Sequence, residues 1–124
     1  VNTINIINLQ ALDISGKNIS DVTGLEDFKL LFELDCSNNN LSAIPQNFGI
    51  DWGPNPAWAG ILNLSNNNFS QLDISELNFF RTLDVRNNPL TCIEVNENQL
   101  SFYGDQMLTI EMDNGVAISL DCGN

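Results

Sequence analysis

The amino-acid sequence predicts an α/β repeat fold, a right-handed solenoid in which short parallel strands lie side by side. A four-residue frame that begins with Leu occurs at 12–15, 34–37, 62–65 and 83–86. The leading Leu residues are 22, 28 and 21 positions apart. Because each frame is followed by further polar and apolar residues at constant distances, the repeat covers whole turns of the chain.

Two of those later positions define the repeat. Five residues after the leading Leu, the second, third and fourth frames carry Asn39, Asn67 and Asn88, whereas the first frame has Lys17. Seven residues after the leading Leu, the chain is apolar in every frame: Ile19, Leu41, Phe69 and Leu90. A period of 20–29 residues with this spacing is the leucine-rich-repeat signature. It favours a recognition surface over an active site and does not identify a ligand.

Each frame reads as a half-buried strand. In Leu34-Asp35-Cys36 the apolar residues alternate with a polar one, so Leu34 and Cys36 face one side and Asp35 the other. A strand this short cannot bury its apolar side alone, so the repeats are expected to be stable only when stacked. The predicted inward row is Leu12, Ile14, Leu34, Cys36, Leu62, Leu64, Leu83 and Val85, completed by Leu9, Leu31 and Phe80.

The repeated Asn residues are interpreted as structural. They stand where the chain must turn away from the strand, and an amide side chain can bind backbone groups that the bend leaves free. Asn39, Asn67 and Asn88 therefore form a predicted ladder along the stack. Each turn then carries a second apolar segment, predicted as a short strand or extended edge behind the first: Val22, Ile44, Leu72 with Ile74, and Ile93 with Val95.

The length of 124 residues indicates one domain, 1–124. We expect an N-terminal cap and first turn over 1–25, central turns over 26–90 and a C-terminal cap over 91–124. The convex side is expected to be mostly irregular or 3-10. An insert at about 45–58 lengthens the repeat between the second and third frames, and its Gly and Pro content indicates a loop. Because the chain opens on strand-like sequence at Val1, we interpret it as a mature or trimmed product.

Charge limits the classes of partner. The chain has 16 acidic and 4 basic residues, no His and a net charge of −12. This sign disfavours nucleic acid, because phosphate binding needs clustered Lys and Arg. It favours a basic or polar partner, bound cations or plain solubility. The sequence contains no apolar run near the ~20 residues that a transmembrane helix needs.

Several segments resemble one protein family. The cap-like run 12–28 and the turns 34–41 and 72–75 are similar to the opening repeats of secreted leucine-rich-repeat proteins of Bacteroidetes and Flavobacteria. The stretches 90–95 and 120–122 are similar to that family's C-terminal cap. The resemblance implies an exported, bacterial protein at the cell surface or outside the cell. It implies binding to other molecules and brings no catalytic residues.

The three cysteines are predicted to have two roles. Cys36 occupies an inward strand position, where a buried thiol acts as a small hydrophobic side chain. Cys92 and Cys122 flank the final degenerate segment and are the predicted disulfide pair, which would close the C-terminal cap. Such a bond requires an oxidising compartment. With no His and no suitable Cys spacing, we predict no metal site.

The sequence lacks the common combinations of catalytic side chains that contain His. Without His, the chain has no Ser-His-Asp triad and no Cys-His pair. The outward residues Asp13 and Asp35 would be close like charges, since neighbouring strands lie ~4.8 Å apart. We expect this proximity to cost stability unless a cation, water or a basic partner offsets it. The sequence predicts no enzyme and no cofactor.

The outward strand positions form the predicted binding surface. Its middle column is acidic and its third column, Ser15, Ser37, Ser65 and Arg86, is small and hydroxylic up to Arg86. The insert residue Trp52 is a candidate contact anchor, whereas Trp58 is expected to pack on the convex side. The predicted partner-binding residues are Trp52, Asp13, Glu33, Asp35, Asn63, Asp84 and Arg86. We predict a protein-binding module, the alternatives being a structural spacer or accessory domain, or a carbohydrate-binding module with Trp52 as stacking platform.

Overall fold

Two parallel sheets organise the chain. The structure, a computed structural model, describes residues 9–50 and 60–123. Sheet A has the order β1-β2-β3-β5-β7, with β1 Ala11–Asp13, β2 Glu33–Asp35, β3 Ile61–Asn63, β5 Thr82–Asp84 and β7 Thr109–Glu111. Sheet B has the order β4-β6-β8, with β4 Gln71–Asp73, β6 Cys92–Glu94 and β8 Ala117–Ser119.

The register of sheet A confirms the predicted alignment of the frames. Leu12 pairs with Leu34, Leu34 with Leu62 and Leu62 with Leu83, all between parallel strands. The middle residue of each strand therefore points to the same side. Parallel sheets built from the repeated frames fit an α/β repeat fold.

The core lies between the two sheets and follows the inward row. The six residues of the row in the second to fourth frames are buried: Leu34, Cys36, Leu62, Leu64, Leu83 and Val85. Leu12 and Ile14 are half-buried, because β1 is the first strand of sheet A in the described residues and is packed on one side only. Leu31 and Phe80 are buried as well.

The predicted insert begins inside the core. Phe48 is buried, and its ring centroid lies 5.2 Å from that of Phe79. The Gly and Pro content around it indicated a loop and hid this apolar contact, which depends on a residue 31 positions away. Trp52 and Trp58 lie outside the described residues, so the predictions for them stay predictions.

The second apolar segments form sheet B in part. Leu72, Ile93 and Ile118 are in register on β4, β6 and β8. Val22 and Ile44 precede these strands and are not in strands, although Val22 is buried and a 3-10 helix follows at Leu25–Asp27. Beside β4, the side-chain amide of Gln46 donates to the carbonyl of Asp73 at 2.8 Å. A side chain thus binds an edge carbonyl to which a neighbouring strand would otherwise donate.

The C-terminal segment contains elements that the sequence analysis did not predict. Helix α1, Glu97–Gly104, starts at a capping box formed by Asn96 and Gln99. The buried amide of Gln99 also donates to the carbonyls of Ile74 and Leu77, at 2.7 and 2.8 Å. Strand β7 follows and pairs with β5. The segment 91–124 therefore extends both sheets. That this segment forms a separate C-terminal cap stays a prediction.

The predicted disulfide is present. Cys92 and Cys122 are bonded across 30 residues of sequence. A loop of that length corresponds to roughly 3–4 kcal/mol of stabilisation on the chain-entropy model. Cys36 is a free, buried thiol, and burial raises its pKa to about 12. Its thiolate is therefore scarce at neutral pH.

Candidate interaction surface

The outward face of sheet A gathers most of the predicted binding residues. One column of aligned positions runs Ala11, Glu33, Ile61, Thr82 and Thr109, and the other runs Asp13, Asp35, Asn63, Asp84 and Glu111. Arg86 follows β5 by two residues. The structure thus brings the predicted residues onto one sheet, except Trp52, which lies outside the described residues. Glu111 joins the column through β7.

The serine column is not a free hydroxylic surface, contrary to the interpretation of the sequence. Asp35 Oδ1 accepts the backbone N–H of Ser37 at 2.9 Å and its hydroxyl at 2.6 Å. Asp13 and Asn63 make the same two bonds with Ser15 and Ser65. Each serine closes a turn onto the side chain two residues before it. Ser37 and Ser65 are also buried, whereas Ser15, with the same bonds on the first strand, is half-buried.

These turns also offset part of the repulsion predicted between Asp13 and Asp35. Each carboxylate receives two local donors through Oδ1, and the structure assigns no bond to either Oδ2 among the described residues. Two hydrogen bonds from Ser15 hold the pKa of Asp13 below its usual range. The bond from the hydroxyl contributes more than the bond from the backbone N–H. The charged form is thus favoured without a cation.

Within the acidic column, the charge of Asp84 on β5 is neutralised internally. Arg86 binds Asp84 through two contacts, Nε to Oδ1 at 3.1 Å and Nη2 to Oδ2 at 2.8 Å. The hydrogen bond from Arg86 is the main reason that the pKa of Asp84 lies below its usual range. Among the described residues of the column, carboxylates that no salt bridge neutralises therefore lie at Glu111 on β7 and, at the other end of sheet A, on β1 and β2. There Asp13, Glu33 and Asp35 border a shallow depression of about 350 Å³.

Ile61 is a surface residue that the sequence analysis left out of the site. It lies at the centre of sheet A with 40% of its side chain exposed, between Glu33 and Thr82. The signal was present in the sequence: an Ile stands in an outward column where the aligned frames have Ala, Glu and Thr. An exposed branched side chain among polar neighbours is a candidate contact anchor.

The Asn ladder binds the backbone of adjacent repeats. Asn67 Oδ1 accepts the N–H of Leu41 at 2.9 Å, and Asn67 Nδ2 donates to the carbonyls of Cys36 and Leu64 at 3.0 and 3.1 Å. Asn39 and Asn88 make corresponding bonds. Each amide thereby joins its own repeat to the one before it. These side chains lie away from the outward face and hold the stack together.

Parallel strands in register, an inward Leu row and amides that join successive turns fit an α/β repeat fold. A family model described as Leucine Rich Repeat matches residues 30–49 and 61–80, which include β2, β3 and β4. These matches support a leucine-rich-repeat protein. The comparisons with curated proteins and with solved structures found no match. Leucine-rich repeats generally mediate protein–protein interaction, and the family is typically non-catalytic.

Across 9–50 and 60–123, none of the helices has the length and apolar character that crossing a bilayer requires.

The bonds between Asp13 and Ser15 predict a measurable pH effect. In the wild type, Asp13 should titrate below its ordinary value of 3.8, and Ser15→Ala should raise its pKa part of the way back. Because the pKa of Asp13 is lower in the folded state than in the unfolded state, its ionisation stabilises the fold at pH values above the unfolded-state pKa. That stabilisation is lost as the pH falls through the folded-state pKa. Carboxyl-carbon NMR titration measures the shift. Ser20→Ala, at an exposed serine outside the column, is the control, and identical Asp13 titrations in wild type and Ser15→Ala would contradict the assignment.

Proposed function

We propose that this chain is a non-catalytic protein-binding module of an exported leucine-rich-repeat protein, of the type secreted by Bacteroidetes. Its partner is a protein with a basic or polar surface, bound at the cell surface or within an extracellular or outer-membrane assembly. The disulfide is compatible with an extracellular protein, because such bonds persist in oxidising compartments. The net charge of −12 favours a basic partner.

One observation carries the proposal: an exposed apolar side chain lies beside free carboxylates on an ordered sheet. Ile61 supplies area that a partner side chain can bury, and Glu33 lies next to it in the register. Glu33 is exposed and receives no hydrogen bond from the described residues, so its charge is available to a partner. Apolar contact gives affinity, and the surrounding charge gives orientation and association rate.

The rigidity of the sheet also supports binding. The outward side chains stand on strands whose middle residues are buried and whose ends are tied by the Asp–Ser turns. A surface held in this way loses little conformational entropy on association. Five short strands make a small footprint, which suits the lower end of the range for specific interfaces.

The test compares variants on and off the outward face. Wild-type chain is used to capture a partner from native extract, and the partner's Kd is then measured by calorimetry for Ile61→Ala and Glu33→Lys. We expect each to weaken binding by about tenfold or more, with unchanged thermal melting because both side chains are exposed. Glu97→Lys, an equal charge change on α1, is the matched control and should bind as the wild type does.

The choice of variants follows from the structure. Asp35→Ala would remove the acceptor of the Ser37 turn, so a loss of binding could reflect local unfolding. Trp52→Ala separately tests the predicted anchor in the insert. A captured partner whose affinity is unaffected by Ile61→Ala and Glu33→Lys refutes the site. A chain that captures no partner supports the spacer role instead.

A further inference from the structure

Strand β7 leaves one side of its backbone unpaired. Thr109 donates its N–H to the carbonyl of Arg81 at 2.9 Å, and Glu111 accepts the N–H of Val85 at 2.8 Å, so both residues bond toward β5. In a parallel ladder, alternate residues direct their backbone groups to opposite sides. The N–H and carbonyl of Ile110 therefore point away from β5. Among the described residues no strand lies there, since β7 is last in the order of sheet A.

A groove runs along this edge. It has a volume of about 590 Å³ and is lined by Tyr103, Gly104, Gln106, Leu108, Thr109 and Ile110. The groove is held in place because the N–H groups of Met107 and Leu108 both donate to the carbonyl of Phe102, at 2.7 and 3.1 Å. The edge is thus ordered and has room beside it for a chain in extended conformation.

Acidic residues predominate around this edge, and Arg86 is the one basic side chain shown to interact electrostatically with Glu111 and Asp113 among the described residues. From residue 87 to the C terminus the sequence has six acidic residues and no Lys or Arg. Asp105, Glu111 and Asp113 are exposed and lie four residues before, on and two residues after β7. Asp113 Oδ2 accepts the backbone N–H of Asn87 at 2.8 Å, which holds this carboxylate beside the sheet. A basic segment would find opposite charge here, whereas a second copy of this chain would bring its own acidic residues against them.

The β7 edge also lacks protection that β4 has. At the free side of β4, Gln46 donates to the carbonyl of Asp73, and Pro45 precedes it. Proteins commonly block edge strands with Pro, Lys or covering side chains. Residues 105–113 contain neither Pro nor Lys. Because the edge of β4 is shielded and the edge of β7 is not, β7 is a place where a further strand can pair.

We propose that the β7 edge binds an extended basic peptide segment of a partner protein, which adds one strand to sheet A. The peptide's backbone pairs with the N–H and carbonyl of Ile110. Its Lys or Arg side chains face Glu111 and Asp113, and its alternate apolar side chains enter the groove beside Tyr103. This is a second contact region, about three strands from Glu33 in the order of sheet A.

Amide hydrogen exchange measured by NMR tests the geometry. In the free protein, the Ile110 amide should exchange much faster than those of Thr109 and Glu111, which face β5. The probe is an acetylated hexapeptide of alternating Lys and Val. Saturating peptide should slow exchange at Ile110 and leave Thr109 unchanged. Exchange at Ile110 as slow as at Thr109 in the free protein would overturn the proposal.

Affinity measurements test the chemistry. The same peptide carrying N-methyl groups on alternate residues should bind about tenfold or more weakly, because it cannot donate to the edge. Glu111→Lys should weaken the unmodified peptide at least as much, whereas Glu33→Lys, the same charge change on β2, should have a much smaller effect. A hexapeptide of alternating Glu and Val should not bind.

The contrary outcomes are equally distinct. Equal weakening by Glu33→Lys and Glu111→Lys would show binding by general charge, and loss with Glu33→Lys alone would place the peptide on the outward face. Concentration-dependent self-association that protects Ile110 would assign the edge to a second copy. Each of these results overturns the proposal, and none depends on whether a natural partner binds at Ile61.

Discussion

Asn67→Ala is expected to destabilise the chain by about 3 kcal/mol or more. The substitution removes the acceptor for the Leu41 N–H and the donor for the carbonyls of Cys36 and Leu64. Leu41, Cys36 and Leu64 are fully buried residues, so solvent cannot readily replace these bonds. A buried polar group left unpaired costs roughly 1–3 kcal/mol, and here three groups are affected. Urea denaturation, with the disulfide intact, measures the free energy of unfolding.

The neighbouring residue Asn68 is the matched control for Asn67. Asn68 is exposed, and its side chain makes no hydrogen bond that the described residues show. Asn68→Ala should therefore change the free energy of unfolding by no more than about 0.5 kcal/mol. Equal effects of the two substitutions would refute the role of the Asn ladder in joining the repeats.

Gly60→Ala is the second substitution with a large expected effect. A Cβ at residue 60 would lie 1.6 Å from the carbonyl oxygen of Phe79 and 2.6 Å from its carbonyl carbon. Both atoms belong to the backbone, so relief requires one segment to move. Movement would disturb the Gly60 carbonyl, which accepts the N–H groups of Arg81 and Thr82 at 2.7 and 3.0 Å. We expect a loss above about 3 kcal/mol, at the upper end for overpacking.

Gly104 provides the comparison for Gly60. It ends α1, and a Cβ there would meet nothing within 4 Å. Gly104→Ala should leave the stability unchanged or raise it slightly, because Ala favours the helix. Thermal melting of both variants distinguishes a local clash from a general cost of replacing glycine. A wild-type melting temperature for Gly60→Ala would show that the two backbones are further apart than described.

The architecture was largely predictable from the repeated frame. Alternation in Leu34-Asp35-Cys36 specifies which side of the strand is buried, and the spacing of the frames specifies which residues align. The register of β1, β2, β3 and β5 agrees with that prediction. The Cys92–Cys122 bond was also predicted, because the two residues flank the segment that departs from the repeat.

Strand β7 shows where the pattern becomes too weak to follow. It has Ile110 where the earlier frames have Leu, and Gly115 where three of them have Asn. With two marker positions changed, the segment does not stand out as a repeat. The structure shows that this segment pairs with β5 in sheet A, while Gln99 ties the preceding helix α1 to the carbonyls of Ile74 and Leu77.

The surface chemistry also depended on contacts that no periodicity reveals. Asp13 and Asp84 occupy equivalent positions, yet one carboxylate binds a serine and the other an arginine. Which oxygens remain free for a partner follows from the side chain two residues later and from its burial. The sequence placed Ile61 in an outward column, and the structure shows how far its side chain is exposed.

Periodic spacing is a property of the chain, and it was sufficient to specify the stacking of the strands, the inward apolar row and the acidic character of the outward face. Proximity between distant residues is a property of the folded molecule. The contact of Phe48 with Phe79, the close approach of Gly60 to the backbone of Phe79 and the open edge at Ile110 therefore required the structure, because each depends on how segments pack and not on their order along the chain.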